Sequence, residues 1–460
     1  MTIRTRFAPS PTGDIHLGNI RTALYSWLYA HHNQGEFILR IEDTDRERST
    51  QASVNTILEG MKWLGLNYTG PFYQSEHLAH FREIAQQLIN SGKAYRCYCA
   101  KERLDQLREQ QLAKKEKPRY DGCCRDKNLP DSGKPCVIRF KNPTSGDVIF
   151  TDQVMGELRF ANSELDDLVI IKADGYPAYN FSVVVDDGEM KITHVVRGAD
   201  HINNTPRQIN IFHALNLPPP TYAHVPLILG SDGKLLSKRH GALSILQYRD
   251  MGYLPEALLN YLVRLGWSHG DQEIFSCAEM IALFDTTHIN KSPAAFNAEK
   301  LQWLNRHYLK TLDTKILSER LAPYLQQLGI AATADTKLAE IIIAQRERAE
   351  TLQEIATKSR FFYEDITVTP ELKAQYFTAE NAPLMTALIQ SFAATGDWTK
   401  DNLHQILKDV ADQFKVKLGI VAQPIRVAVS GGTVSPPIDI TLQILGKQKT
   451  LERLTHAFAG

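Results

Sequence analysis

The N-terminal stretch constrains the fold more than any other part of the chain. Residues 3–7 form a β-type run, and a turn rich in Pro, Ser, Thr and Gly follows it. The turn leads to His16 and Gly18, at the start of a segment with apolar residues at helical spacing. Glycine lets a ligand approach the backbone closely, and the free N–H groups and dipole of a helix start attract anions. The stretch therefore predicts a strand–turn–helix unit that binds phosphate, although a structural turn with a surface histidine has the same local pattern.

The next segment repeats the alternation of strand and helix. Residues 36–41 are typical of a buried strand that runs directly into the acidic residues 42–45, and residues 50–64 are typical of a helix. Such alternation indicates a parallel sheet covered by helices. Acidic residues at the carboxyl end of a strand lie where doubly wound folds bind ligands, or they cap the next helix in a solvated loop. We expect a Rossmann-like α/β domain.

Length and composition set the wider class. A chain of 460 residues is too long for one hydrophobic core. Its 43% hydrophobic and 23% charged residues, with a net charge of zero, are typical of a globular protein. The sequence contains no apolar run of the ~18 residues that a transmembrane helix needs, and its N-terminus lacks a signal-peptide pattern. We therefore expect a cytoplasmic protein that does not contact a membrane.

Changes in composition divide the chain. A charged helical run and short β-rich segments interrupt the first fold from residue 93, and beyond residue 244 the pattern is overwhelmingly helical. The predicted segments are residues 1–92 and 195–243 as two halves of the Rossmann-like domain, 93–194 as an inserted α+β module, and two helical regions, 244–320 and 321–460. Short β-type runs are predicted at residues 183–185, 426–429 and 438–444.

Two further features bear on chemistry. A Gly-flanked loop after a buried strand carries Ser237, Lys238 and Arg239, and such a basic loop either holds a polyphosphate or is simply solvated. Four of the six cysteines cluster, and in a reducing cytosol a cluster suggests a metal site more than disulfides.

Together, these motifs resemble the bacterial glutamyl-tRNA synthetases, a family of class I aminoacyl-tRNA synthetases. The matching stretches follow the family's order and spacing: RFAPSPTG, RIEDTD, YNFSVVVDD, RGADHINNTPRQ, SKRHG and SPAAFN. Weaker matches, RVAVSG and SPP, lie near the C-terminus, so the resemblance covers essentially the full length. The resemblance implies ATP-dependent ligation of L-glutamate to the 3′ end of a tRNA through a glutamyl adenylate, with release of AMP and pyrophosphate. It also implies Mg²⁺ with the ATP and a monomer. Within the chain it implies acceptor-end binding by residues 93–194, stem contacts by 244–320 and anticodon binding by 321–460.

The resemblance also implies roles for individual residues. Those expected to contact ATP are His16, Gly18, Ser237 and Lys238, of which His16 and Lys238 are the catalytic pair. Those expected to bind glutamate are Arg6, Ser10, Glu42, Tyr179 and Arg197. Glu42 would pair with the α-ammonium group, and Arg197 suits the planar side-chain carboxylate. A site that pairs a charged carboxylate would reject glutamine, because glutamine leaves a buried Arg unpaired.

The cysteine cluster matches the zinc site that some members of the family carry. The matching ligands are Cys97, Cys99 and Cys124, and the fourth ligand is often a His at the position of Asp126. Because zinc also accepts a carboxylate, Asp126 is the first candidate for the fourth ligand. Tyr120 and Cys123 are alternatives, and so is a site that has lost its metal.

The sequence departs from the family's pattern at three positions, and other functions stay open. Asn19 ends the first signature, Ala199 replaces an acid, and Leu235 stands where the second signature usually has its first Lys, with Lys234 one residue earlier.

A shorter paralogue that glutamylates a modified tRNA base lacks the helical C-terminal part, and a catalytically inactive tRNA-binding protein would have lost His16 or Lys238. The tRNA charged could be tRNA-Glu, tRNA-Gln or both. Candidates to read the anticodon, or else ordinary solvated charges, are Arg346, Arg348, Lys358 and Arg360.

Overall fold

A computed structural model describes residues 2–236, 243–331 and 335–458. Its chain forms two compact units, one of Met1–Tyr248 with Leu258–Ala298 and one of Arg249–Ala257 with Glu299–Gly460. Ser237 and Lys238, predicted to bind ATP, lie outside the described residues. None of the described helices is long and apolar enough to cross a membrane.

The first unit mixes strands and helices. Its strands are β1 (Arg4–Phe7), β2 (Glu36–Ile41), β3 (Thr69–Tyr73), β4 (Ala94–Cys97), β5 (Val137–Phe140), β6 (Asp147–Asp152), β7 (Gly156–Ala161), β8 (Val169–Ile171), β9 (His194–Gly198), β10 (Thr221–Val225), β11 (Ile228–Leu229) and β12 (Ala294–Ala295). Its helices are α1 (Leu17–His32), α2 (Gln51–Leu64), α3 (Leu78–Asn90), α4 (Lys101–Ala113), α5 (Tyr179–Glu189), α6 (Thr205–Ala214) and α9 (Cys277–Leu283). The chain passes between the units at three points, which lie within α7 (Ile245–Asp250), within α8 (Pro255–Arg264) and at the start of α10 (Ala298–Thr311).

Parallel strands form the centre of this unit. Strands β1, β2 and β3 pair in parallel, as do β6, β10 and β9, while β7 adds to β6 in antiparallel fashion. The backbone N–H of Thr193 donates to the carbonyl of Arg4 at 3.0 Å, which brings the start of β9 beside β1. The predicted fold class, a Rossmann-like α/β domain followed by a mainly helical region, is confirmed.

The segment predicted as an inserted module has two structural parts. Strands β4, β5 and β8 form an antiparallel sheet of their own, in keeping with an α+β module. The β6–β7 hairpin instead joins the central sheet, where Asp152 lies opposite Tyr222 of β10. The strand predicted at residues 183–185 is wrong, because these residues belong to α5. All three are buried valines, and a short buried β-branched run has the same pattern in a helix and in a strand.

Gly35 lets β2 begin close to β1. Its N–H donates to Ala30 at 2.8 Å, and a Cβ built on it would lie 2.3 Å from the carbonyl oxygen of Ile3. Only a residue without a side chain fits this approach.

The second unit is helical throughout its described residues. Its helices are α10 (Ala298–Thr311), α11 (Thr314–Gln327), α12 (Thr336–Gln345), α13 (Leu352–Ser359), α14 (Pro370–Tyr376), α15 (Ala382–Ala394), α16 (Lys400–Gln413), α17 (Leu418–Ser430), α18 (Ile438–Leu445) and α19 (Lys447–Phe458). The β-type runs predicted at residues 426–429 and 438–444 are wrong, since they lie in α17 and α18. Both helices pack into one apolar core, so their apolar residues surround the axis instead of forming a stripe.

Candidate active site

A cavity of about 520 Å³ lies where β1, β2 and β9 end and α1 begins. The structure brings seven of the predicted ligand-binding residues to its wall: Arg6, Ser10, His16, Gly18, Glu42, Tyr179 and Arg197. Leu235 and Leu236, the last described residues before Ser237, also line it. This position, at the carboxyl ends of parallel strands, is where doubly wound folds bind ligands.

The start of α1 gives this cavity a hydrogen-bonding wall. His16 is the N-cap of α1: its Nδ1 accepts from Gly18 N–H at 3.1 Å, and its own N–H donates to Asn19 Oδ1 at 3.3 Å. A Cβ on residue 18 would lie 3.1 Å from His16 Cε1, so the glycine makes room for the imidazole. Burial lowers the pKa of His16, with Asp200 opposing. A neutral ring whose Nδ1 accepts carries its proton on Nε2, which is available to a phosphate oxygen.

Below the cavity lies a buried ion-pair network. Arg40, 1% exposed, donates to Asp187 at 2.7 Å and to Glu42 at 3.2 Å, and its Nε lies 3.5 Å from Asp186. Arg6 Nε donates to the same Asp187 oxygen at 3.3 Å. Burial alone would raise the pKa of Asp187, but Arg6 and Arg40 hold it below its usual value. These charges largely compensate one another, as buried charges must.

Glu42 is the acid of this network that faces the cavity. Burial raises its pKa to about 7, although Arg40 and Arg6 oppose the shift. A buried carboxylate near its midpoint of titration gains much from a cation beside it. This arrangement suits the α-ammonium group of an amino acid.

Arg197 differs from the other two arginines, because its partners are neutral. Its Nε donates to His224 Nε2 at 3.1 Å and its Nη2 to Thr205 Oγ1 at 2.8 Å. Its Nη1 is buried and has no hydrogen-bond partner among the described residues. No described carboxylate lies within ion-pair distance of the guanidinium, so the cavity wall holds an uncompensated positive charge.

Tyr179 lies beside this charge. Its hydroxyl is 3.0 Å from Nδ1 of His201, and burial raises the pKa of Tyr179. Burial and Arg197 together lower the pKa of His201 to about 4, so the imidazole is neutral near pH 7.

Several residues of this site were not predicted. Arg40, Asp187, His201 and His224 are absent from the residues singled out in the sequence. For Arg40 a signal was available, since one arginine in an otherwise apolar buried strand points to a buried partner. The other three depend on contacts between distant segments.

The cysteine cluster is a second candidate site. The sulfurs of Cys97, Cys99 and Cys124 lie within 4.8 Å of one another, and Cys99 Sγ is 3.6 Å from Cys124 Sγ. The hydroxyl of Tyr120 lies 3.4 Å from Cys97 Sγ and 3.6 Å from Cys99 Sγ. A hydrogen bond from Tyr120 lowers the pKa of Cys97 to about 7 against the effect of burial, whereas burial raises the pKa of Cys99 to about 12.

The two other proposed ligands are not part of this cluster. The side chain of Asp126 is 79% exposed and pairs with Lys141 at 2.8 Å. Cys123 lies 3.5 Å from Lys127 Nζ. The prediction of Asp126 as fourth ligand is therefore not supported by its position, and Tyr120 occupies that place instead.

The second unit contains a cavity of about 530 Å³ whose wall carries three basic residues and two acidic ones, Glu364 and Asp365. Arg348, Lys358 and Arg360 line it together with Phe361. Lys358 pairs with Glu354 and Arg360 with Glu364, whereas Arg348 donates to the carbonyl of Ser435 at 2.8 Å.

The fold and the first cavity define a class I aminoacyl-tRNA synthetase. The family model "tRNA synthetases class I (E and Q), catalytic domain" matches residues 2–303, and an anticodon binding domain matches residues 316–458. A glutamate–tRNA ligase of Legionella pneumophila is 55% identical over 460 residues, which cover 99% of this chain and 98% of that protein. Glutamate–tRNA ligase 2 of Coxiella burnetii is 55% identical over 457 residues, which cover 99% of this chain and 97% of that one.

A solved structure agrees with these relatives. The crystal structure of a glutamate–tRNA ligase from Elizabethkingia meningosepticum, in complex with its amino acid, matches with a TM-score of 0.86 at 32% identity and covers 99% of both chains. The chain belongs to the glutamate–tRNA ligase family.

Proposed function

We propose that this chain ligates L-glutamate to the 3′ end of a tRNA, for protein synthesis, through a glutamyl adenylate. The observation that carries the proposal is the charge pattern of the first cavity. Its wall joins an uncompensated arginine, Arg197, to a buried acid, Glu42, beside the start of α1. An amino acid with a second carboxylate complements all three features.

Glutamate would span the cavity. The α-ammonium group would lie at Glu42, and the γ-carboxylate would accept from the guanidinium of Arg197, which lines the cavity. Tyr179, Arg6 and Ser10 line the space between them. Glutamine has an uncharged amide at the γ-position, so it would leave the buried guanidinium without a counter-charge.

ATP would bind at the start of α1 as its magnesium complex. The His16 Nε2 proton and the free N–H groups of the first turn are donors for phosphate oxygens. The α-carboxylate of glutamate attacks the α-phosphorus, pyrophosphate leaves, and the 3′-terminal ribose hydroxyl of the tRNA then takes the glutamyl group and releases AMP. The first step needs positioning and charge neutralisation more than a covalent nucleophile. Lys238 and Ser237 stay predicted partners of the triphosphate.

The direct test is ATP–pyrophosphate exchange with glutamate, with and without tRNA. We expect exchange with glutamate in the presence of tRNA and far less with glutamine. If there is no exchange under either condition, the proposed function is wrong. Charging of purified tRNA-Glu and tRNA-Gln then decides which tRNA is the substrate.

The second cavity supports anticodon binding by the second unit. Arg348 has no described acidic partner, whereas Lys358 and Arg360 are each paired within their own helical segment. We therefore expect Arg348 to contribute most to tRNA binding. Arg348→Ala should raise the KM for tRNA and leave glutamate activation at saturating tRNA unchanged. Arg346→Ala, at the predicted anticodon candidate that lies outside the cavity wall, should raise that KM less.

The cysteine cluster fits one zinc ion. Tetrahedral zinc with Zn–S bonds of about 2.3 Å places sulfurs roughly 3.8 Å apart, close to the 3.6 Å between Cys99 and Cys124. Cys97, Cys99, Cys124 and the Tyr120 oxygen would hold the ion in a closed, structural site.

Metal content of protein purified without chelator tests this assignment. We expect close to one equivalent for the wild type and for Asp126→Asn, and a marked loss for Cys124→Ser. A loss in Asp126→Asn with full content in Tyr120→Phe would restore Asp126 as the ligand, and less than about half an equivalent in the wild type would count against the site.

The shorter paralogue, which lacks the C-terminal region, is not favoured. An anticodon binding domain matches residues 316–458 of this chain. The inactive-protein alternative is tested by the same exchange assay.

A further inference from the structure

Behind Arg197 lies a buried pair that does not line the cavity. Arg197 on β9 and His224 on β10 are opposite each other in the parallel sheet, and Asp152 ends the next strand, β6. The side chains of His224 and Asp152 are fully buried, with His224 Nδ1 2.6 Å from Asp152 Oδ2. Three neighbouring strands thus carry a continuous chain from a carboxylate through an imidazole to the guanidinium.

The carboxylate of Asp152 is fixed by its own hydrogen bonds. Its Oδ1 accepts from the backbone N–H groups of Val154 at 2.9 Å and Met155 at 2.8 Å, and its Oδ2 from that of His224 at 3.1 Å. Although burial opposes ionisation, these donors hold the pKa of Asp152 below its usual value. An ionised carboxylate only accepts, so the proton that it shares with His224 belongs to the imidazole Nδ1.

This fixes the tautomer of His224. Burial lowers the pKa of His224, with Asp152 opposing, so the ring is neutral near pH 7. A neutral ring with its proton on Nδ1 has a lone pair on Nε2, and Nε2 lies 3.1 Å from Arg197 Nε. The ring can then accept a hydrogen bond from Nε of Arg197. Nη2 of Arg197 donates to Thr205 Oγ1 at 2.8 Å.

The pair orients Arg197 without neutralising it. A carboxylate in direct contact with Arg197 would fix the guanidinium equally well, but it would compete with the ligand's carboxylate. A neutral histidine in contact with Arg197 removes that competition. The negative charge is on Asp152, which contacts His224 and not Arg197. The guanidinium lines the cavity, and its Nη1 has no hydrogen-bond partner among the described residues.

We propose that Asp152 and His224 are positioning residues that aim Arg197 at the γ-carboxylate and so set the preference for glutamate over glutamine. This inference rests on the proposed function, since it names the residues that determine substrate specificity in the same cavity. Neither residue touches the substrate or acts in the chemical step.

Asp152→Asn is the decisive substitution. The asparagine oxygen can still accept from Val154 and Met155, but its NH2 faces His224 Nδ1. The imidazole proton must then move to Nε2, which lies 3.0 Å from Thr205 Oγ1 and 3.1 Å from Arg197 Nε, so the ring no longer accepts a hydrogen bond from the guanidinium. We expect kcat/KM for glutamate to fall about 10- to 100-fold, the effect of one unsatisfied buried hydrogen bond, mainly through KM.

The readout that separates positioning from a structural role is substrate discrimination. The ratio of kcat/KM for glutamate to that for glutamine, from tRNA-supported pyrophosphate exchange, should fall at least several-fold, whereas the KM for ATP and for tRNA should not change. The matched control is Asp285→Asn. Asp285 and His288 form a pair with the same 2.6 Å distance, but on the exposed surface. Asp285→Asn should leave the ratio of kcat/KM for glutamate and glutamine and both KM values unchanged.

A second pair of variants keeps Asp152 and its turn intact. His224→Gln can place a carbonyl oxygen beside Arg197, whereas His224→Leu places no acceptor there. We expect the glutamine variant to retain more discrimination than the leucine variant. This comparison decides the question if Asp152→Asn does not fold.

The outcomes are distinct. If both His224 variants and Asp152→Asn lose activity equally for glutamate and glutamine, with unchanged discrimination, the pair is structural and the inference is overturned. If the wild type shows no exchange with glutamate, the proposed function itself fails before any variant is compared.

Discussion

Substitution of Arg197 by glutamine tests the specificity argument most directly. The change removes the cavity's uncompensated cation and keeps a polar side chain of moderate length. Arg197 is 5% exposed, so water does not replace the lost charge. Its guanidinium lines the cavity and is the group that we expect to meet the γ-carboxylate.

The size of the effect follows from burial. Removing one partner of a buried ion pair costs about 3–5 kcal/mol, or about 100- to 4000-fold in kcat/KM for glutamate. For glutamine the lost interaction is at most one neutral hydrogen bond of about 1 kcal/mol, or about fivefold. The preference for glutamate over glutamine should therefore fall by roughly 20-fold or more.

Pyrophosphate exchange at saturating ATP and tRNA measures both rate constants. Arg159→Gln is the control, because Arg159 is an exposed arginine of the same unit, paired with Asp147 at 3.0 Å, and surface pairs contribute little. If Arg197→Gln keeps its preference for glutamate, the γ-carboxylate does not bind at Arg197 and our view of the cavity is wrong.

Three further predictions concern the same unit. Because the pKa of Glu42 is about 7 in the empty cavity and an ammonium group favours its ionised form, protons compete with glutamate: the Kd should rise by up to about tenfold per pH unit below 7 in calorimetric titrations. Glu42→Gln should abolish that dependence, and a Kd independent of pH in the wild type would contradict it. His16→Ala should reduce pyrophosphate exchange at least about 100-fold and leave tRNA binding in filter assays intact, whereas normal exchange would show that the α1 turn does not serve ATP. Gly35→Ala should lower thermal stability by about 1–3 kcal/mol, because its Cβ would lie 2.3 Å from a backbone oxygen, while Gly13→Ala, with nothing within 4 Å, should not; equal melting temperatures would refute the steric argument.

The parts of the site that lie in local motifs could be predicted from the sequence. His16 and Gly18 act within one turn, and Glu42 follows directly after a strand, so the pattern around each is sufficient. The pairing of Arg40 with Asp187 joins residues 147 positions apart, and no local pattern contains it. The same holds for His224, which is an ordinary residue of a buried strand until the register of β9 and β10 is known.

The fourth position of the cysteine cluster shows a different limit. Asp126 was predicted from its place in the chain, two residues after Cys124. The backbone N–H of Cys124 donates to the Tyr120 hydroxyl at 2.8 Å, which holds the tyrosine oxygen at the sulfurs. Asp126 lies past this turn and pairs with Lys141. Spacing in the chain does not specify which side chain a turn directs inward.

The charges of the first cavity also explain why selectivity and binding are coupled. A buried charge without a counter-charge destabilises a fold, and the network of Arg6 and Arg40 with its acids avoids that cost. Arg197 has no described carboxylate within ion-pair distance, and Glu42, on the wall of the same cavity, keeps a raised pKa. Glutamate brings a carboxylate to Arg197 and an ammonium group to Glu42, so it supplies a counter-charge to both. Glutamine supplies a counter-charge only to Glu42. The preference for glutamate therefore depends on a cost already present in the empty protein, and this requires that Arg197 be held in place by neutral groups such as His224.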